Sequence, residues 1–103
     1  MARYFAELSY NGTRFHGWQI QRNAPSVQQA VQQALSALLG VPTEVVGAGR
    51  TDTGVHASFY VAHFDADEAK GAESEDFRYH FDSMLPRDIA VRRIYRVRDD
   101  AHA

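Results

Sequence analysis

A chain of 103 residues with a formal charge of −2 and no cysteine is one domain, able to bury a core but unable to use disulfides, thiolate metal sites or a cysteine nucleophile. No apolar run approaches the length of a membrane span, and Met1-Ala2-Arg3-Tyr4-Phe5 enters a strand pattern rather than a secretory leader, so a cytoplasmic protein is expected. Charge is unevenly spread: Asp65, Asp67, Glu68, Glu73, Glu75 and Asp76 crowd around Lys70, while the net-positive remainder has arginine as its only basic residue, the side chain suited to phosphates and to stacking on bases.

Residues 3–10 alternate as a strand, with Tyr4, Ala6, Leu8 and Tyr10 on one face. Asn11-Gly12 turns the chain into a loop, residues 13–23, that combines Phe15 and Trp18 with Arg14, Arg22, Gln19 and Gln21. Arginine and amide side chains of this kind hydrogen-bond and stack on unpaired bases. Phe15 and Trp18 themselves are expected to fold back and cap the core. Pro25-Ser26 opens a helix, with Ser26 as N-cap and Gln29 placed for a capping box. Val27, Ala30, Val31, Ala34, Leu35, Leu38 and Leu39 form its apolar stripe, and Gln28, Gln29, Gln32, Gln33 and Ser36 lie off it, toward water. Gly40 ends this helix and Pro42 prevents its resumption.

Residues 43–47 and 58–64 read as two strands framing the loop Gly47-Ala48-Gly49-Arg50-Thr51-Asp52-Thr53-Gly54-Val55-His56-Ala57. Three glycines in so short a span serve either a sharp reversal or the close approach of a ligand. Residues 65–74 are polar and read as a mobile surface loop. A second helix over 75–84 buries Phe77, Phe81 and Met84 or Leu85, and Pro86 follows it. A last strand over 89–98 carries Ile89, Val91, Tyr95 and Val97 among Arg92, Arg93, Arg96 and Arg98.

The order strand, helix, strand, strand, helix, strand is the split pattern of an α+β ferredoxin-like fold. That fold is a four-stranded antiparallel sheet with two helices on one face. It hosts many functions and decides none. His16, His56, His63, His80 and His102 show no paired spacing of the zinc type, and no serine occupies a hydrolase elbow.

Five stretches then point to a family. They are Tyr10-Asn11-Gly12-Thr13-x-Phe15-x-Gly17-Trp18-Gln19-x-Gln21, Ser26-Val27-Gln28, Gly49-Arg50-Thr51-Asp52-x-Gly54-Val55-His56-Ala57, His63-Phe64-Asp65 and Leu85-Pro86-x-Asp88-Ile89. In this order they resemble the tRNA pseudouridine synthase A family, departing from its common pattern at Asn11, Thr53 and Phe81-Asp82. The resemblance implies conversion of uridine to pseudouridine in the tRNA anticodon arm, by a homodimer that needs neither cofactor nor metal. It identifies Asp52 as the catalytic carboxylate. Arg50 is then the cation beside it, or the group that holds a phosphate or the space left by a flipped base. Arg50, Thr51, His56, Arg14, Gln19, Gln21 and Arg22 are the candidate substrate-binding residues. His56 reads more readily as a backbone-bound brace for the loop than as a general base. The resemblance covers the N-terminal half of such an enzyme, so the chain is expected to be a single half-domain, residues 1–103, with the C-terminal half absent. Two other readings stay open: a non-catalytic RNA-binding or dimerisation half, and a ferredoxin-like binder of small molecules.

Overall fold

Alternation along the first strand sets the architecture. In a computed structural model describing residues 1–103, strand β1 (Ala2–Tyr10) buries every second residue from Ala2 to Tyr10 and leaves Arg3, Phe5, Glu7 and Ser9 half-buried on the other side. Helix α1 (Val27–Leu39), strand β2 (Val46–Gly47), strand β3 (Ala57–Ala66), helix α2 (Glu75–Met84) and strand β4 (Ile89–Val97) follow. The sheet is antiparallel in the order β2-β3-β1-β4, the ferredoxin-like arrangement. One apolar cluster joins Tyr4, Leu8 and Phe64 of the sheet to Val31 and Leu35 of α1 and Phe81 of α2. No helix is long and apolar enough to cross a membrane.

Both helices begin where a serine can cap them. Ser26 Oγ accepts from Gln29 N at 3.2 Å and Ser74 Oγ from Phe77 N at 3.1 Å. Glu75 and Asp76 add negative charge to the first turn of α2, where the helix dipole favours it. Gly40 closes α1 in the left-handed conformation, at φ 78°. Leu85, beyond α2, is buried, whereas Met84 is exposed.

Three elements differ from the expectation. Residues 43–45 are not strand, because side chains of α1 take their backbone groups. Gln32 Oε1 accepts from Val45 N at 3.0 Å, Gln28 Nε2 donates to Val45 O at 2.7 Å, and Ser36 Oγ accepts from Thr43 N at 2.9 Å. Gln28, Gln32 and Ser36 are therefore half-buried clamps rather than water-facing residues. Residues 65–74 are built rather than structureless: β3 runs on to Ala66, Asp67 caps a 3₁₀ turn over Glu68–Lys70, and Ala72 is fully buried. Finally, β4 pairs Val91 with Leu8 but Arg93 with Glu7. That bulge leaves Arg92 unopposed and shifts the parity, so Ile94, and not Tyr95, turns into the core.

Candidate active site

The loop between β2 and β3 leaves the sheet beside the end of β1, and core residues hold it from beneath. Tyr10 and Tyr60 both point into the core and stand in edge contact, with ring centroids 5.8 Å apart. A buried tyrosine still needs a partner for its hydroxyl, and both find one in the loop. Tyr10 Oη lies 2.9 Å from Thr51 Oγ1. Tyr60 Oη accepts from Gly49 N at 3.1 Å and donates to the carbonyl of Gly49. Burial pushes both phenols above their usual range, with the Thr51 contact pulling Tyr10 part of the way back, so both stay neutral. Ala48 N adds a bond to Val61 O at 2.9 Å.

The loop is also laid against the first loop, residue by residue. Trp18 N donates to Thr51 O at 3.3 Å and Gly54 N to Phe15 O at 3.2 Å. Glycine makes this approach possible at two places: a Cβ on Gly12 would run into the Val55 carbonyl, and one on Gly17 into that of Thr51. Phe15 and Trp18 cap the core as expected. His56 Nδ1 accepts from Gly12 N at 2.9 Å, which makes it the brace its setting foretold and fixes its remaining proton on Nε2.

Within this frame Asp52 divides its duties. Its backbone carbonyl accepts from Val55 N at 3.1 Å and closes a turn with Gly54 at φ 80°, the position that such a turn reserves for glycine. Its carboxylate is exposed, with no hydrogen bond or ion pair to any protein group. Arg50 is likewise exposed and makes no ion pair with Asp52 or any other carboxylate. A cavity of about 390 Å³ opens here, lined by Arg50, Thr51, Asp52, Gln19, Gln21 and His16 among others. Gln21 Nε2 is tied to His16 O at 2.6 Å. Two larger hollows, of about 540 and 600 Å³, run along α1 and hold Glu44 as their only ionisable residue.

The structure thus gathers Asp52, Arg50, Thr51, Gln19 and Gln21 at one cavity. Arg14 lies outside it, paired with Asp88 at 2.6 Å. Arg22 is exposed and outside it as well, and His56 faces the neighbouring groove. Tyr10, Tyr60 and His16 were not foreseen at the site. Tyr10 and Tyr60 had one legible signal, a phenol on the core-facing side of a strand end beside a glycine turn. Nowhere do three or more histidines and carboxylates stand together as a metal would require.

Comparison with known proteins gives the family of the chain. Residues 6–103 match the family model described as tRNA pseudouridine synthase. A tRNA pseudouridine synthase A from Porphyromonas gingivalis is 52% identical over 103 residues, all of this chain and 41% of the relative. Proteins of the same name from Ruminiclostridium cellulolyticum and Pseudoalteromonas translucida are each 45% identical over 96 residues, 93% of this chain and 38% and 36% of their own lengths. The chain therefore spans about two-fifths of the length of the curated relatives it matches. With the family model matched over nearly its whole length, this chain belongs to the tRNA pseudouridine synthase family.

Proposed function

We propose that this chain forms the aspartate-bearing half of an enzyme that converts uridine to pseudouridine in the anticodon arm of tRNA, with Asp52 as its catalytic carboxylate. The reaction breaks the bond between uracil N1 and the sugar carbon, turns the base, and joins C5 to that same carbon. C5 gives up a proton and N1 gains one, so the product is an isomer. Asp52 serves by adding to the base or to the sugar carbon, or by assisting proton removal from the sugar. The observation that carries this reading is a carboxylate without protein partners on a loop whose backbone is fixed from beneath and from one side. A base reaches it only when turned out of its stack. Gln19, Gln21 and Thr51 then offer hydrogen bonds to the base or sugar, and Arg50, free of any carboxylate, takes a phosphate or the space the base vacates. Arg14, Arg22 and His56 act farther along the RNA. The same reading takes the whole protein to be a cytoplasmic homodimer in which a second α/β half completes each pocket. No metal or cofactor is invoked.

One observation favours a second reading, that of a non-catalytic RNA-binding or dimerisation half with Asp52 in place but idle: Asp52 and Arg50 form no ion pair with each other. Incubation with unmodified tRNA, followed by carbodiimide treatment and primer extension, separates the two. Pseudouridine that forms with the chain and not with its Asp52→Ala variant establishes the enzyme. Binding of tRNA without product by the full-length protein, in which the second half is present, establishes the inert half.

A further inference from the structure

Most of the arginines are already engaged. Of the ten in the sequence, Arg3, Arg14, Arg78, Arg93, Arg96 and Arg98 each stand in an ion pair with a carboxylate. Arg22, Arg50, Arg87 and Arg92 do not. Arg22 and Arg50 belong to the two loops at the candidate site. Arg87 and Arg92 line a separate groove of about 410 Å³ at the same end of the sheet, where Tyr10 of β1 pairs with Ala57 of β3 and Ile89 of β4. The acidic stretch around Lys70 lies at the other end, where Ala66 pairs with Ala2. The molecule is therefore polarised, with its unneutralised arginines gathered at the loop end.

The groove presents donors. Arg92 sits in the bulge of β4, which re-aims its side chain, and its Nε is held by Ser9 Oγ at 3.2 Å, leaving the terminal nitrogens free. Arg87 makes no side-chain hydrogen bond or ion pair. Asn11 uses its Oδ1 to accept from Thr13 N at 3.0 Å, so its amide nitrogen remains a donor. His56, with Nδ1 occupied by Gly12 N–H, presents an Nε2–H. The one carboxylate in the lining, Asp88, is taken by Arg14 at 2.6 Å and neutralises neither Arg87 nor Arg92. Two guanidiniums outside any ion pair, with neutral donors in the same lining and its one carboxylate already paired with Arg14, are suited to an anion that spans the groove.

We infer that this groove is a second nucleic-acid contact, in which Arg87 and Arg92 hold consecutive phosphodiesters of the RNA strand whose uridine enters the Asp52 cavity. This inference rests on the function proposed above. His56 joins the two places: its ring lines the groove while its Nδ1 bond fixes the loop that carries Asp52.

The test is the salt dependence of binding between the full-length protein, carrying each variant in this half, and an unmodified tRNA transcript. Neutralising two phosphate contacts in Arg87→Gln/Arg92→Gln should flatten the log–log slope by about 1.4–1.8, and Arg87→Gln alone by about half that. Because Arg87 has no intramolecular partner, the single variant is expected to keep the fold, and thermal melting verifies it. Arg87→Lys/Arg92→Lys should retain the slope. Arg98→Gln, which removes a charge from the opposite end of the sheet, should leave it unchanged. If the wild-type protein binds tRNA but the slope is the same in the double variant, the groove inference is overturned and the functional reading stands. An equal loss in Arg98→Gln overturns it too, since overall charge would then be responsible. So does competition by millimolar inorganic phosphate that depends on Arg87 while the RNA slope does not. A full-length wild-type protein that binds no tRNA at all overturns both readings.

Discussion

At the scale of single residues, Asp52 separates two roles that its surroundings would allow to merge. An aspartate two positions before a glycine is a common turn former, and its side chain often caps backbone amides. Here the turn is closed by the Asp52 carbonyl and the carboxylate touches nothing. Replacing the carboxylate therefore removes no intramolecular bond. Asp52→Asn should melt within about 3 °C of the wild type, less than roughly 1 kcal/mol for a domain of this size, and should abolish pseudouridine formation in the full-length enzyme. A large fall in melting temperature with activity retained would make Asp52 a structural residue. Asp52 was singled out by the resemblance its motif carries, and the glycines around it announced a constrained loop. The hands that hold the loop were only partly legible. Tyr10 reads as one face of the first strand and, like Tyr60, is buried, but strand alternation does not tell that the two hydroxyls reach Thr51 and Gly49. Arg14 and Arg22 likewise look alike in sequence; only the fold brings Asp88 to the first of them.

At the scale of elements, apolar periodicity carried both helices and three of the strands, because one-sided burial imposes a period that survives in the residue pattern. It failed where polar groups replaced the sheet ladder. Gln28 and Gln32 occupy positions that a helical wheel assigns to solvent, yet they take the donor and acceptor of Val45 and so remove residues 43–45 from strand pairing. It failed again at Arg92, since a bulge changes the register without altering composition. The clamp is testable by comparing neighbours on the same helix. Val45 is buried, so Gln32→Ala leaves its N–H without a partner and should destabilise the chain by about 1–3 kcal/mol in urea unfolding. Gln29 is exposed and its side chain makes no bond, so Gln29→Ala should stay within about 0.5 kcal/mol. Equal effects of the two would mean that Gln32, too, is merely a solvated helix residue.

At the scale of the whole molecule, the open face of the sheet joins residues from both ends of the sequence through one histidine. His63 on β3 is buried, its ring stacked on Phe5 of β1 with centroids 6.4 Å apart and met edge-on by His102 at 4.7 Å. Its Nδ1 accepts from Ala103 N at 3.1 Å, and Arg3 donates to Ala101 O at 2.9 Å. Burial, first, and the charges of Arg3 and His102 hold the His63 pKa below its ordinary value, with Asp65 and Glu44 opposing. The sign follows from proton counting. Between its lowered folded value and the unfolded value of about 6.5, the unfolded chain binds the proton more readily. The stabilisation is therefore complete above about pH 6.5 and is lost as pH falls through the folded value, where a proton on Nδ1 also displaces Ala103 N–H. Asp65, whose carboxyl Arg3 holds below the usual range, gives a loss of the same sign, but only at the lower pH where carboxylates titrate, so the two windows are distinct. Melting curves at about pH 7.5 and about pH 5.5 should show the wild type losing stability as the pH falls through the histidine range. His63→Asn keeps an acceptor for Ala103 N–H without a titrating ring, and should melt lower at neutral pH yet show a smaller difference between the two conditions. If that difference is as large as in the wild type, the pH dependence arises elsewhere and His63 is a packing residue alone.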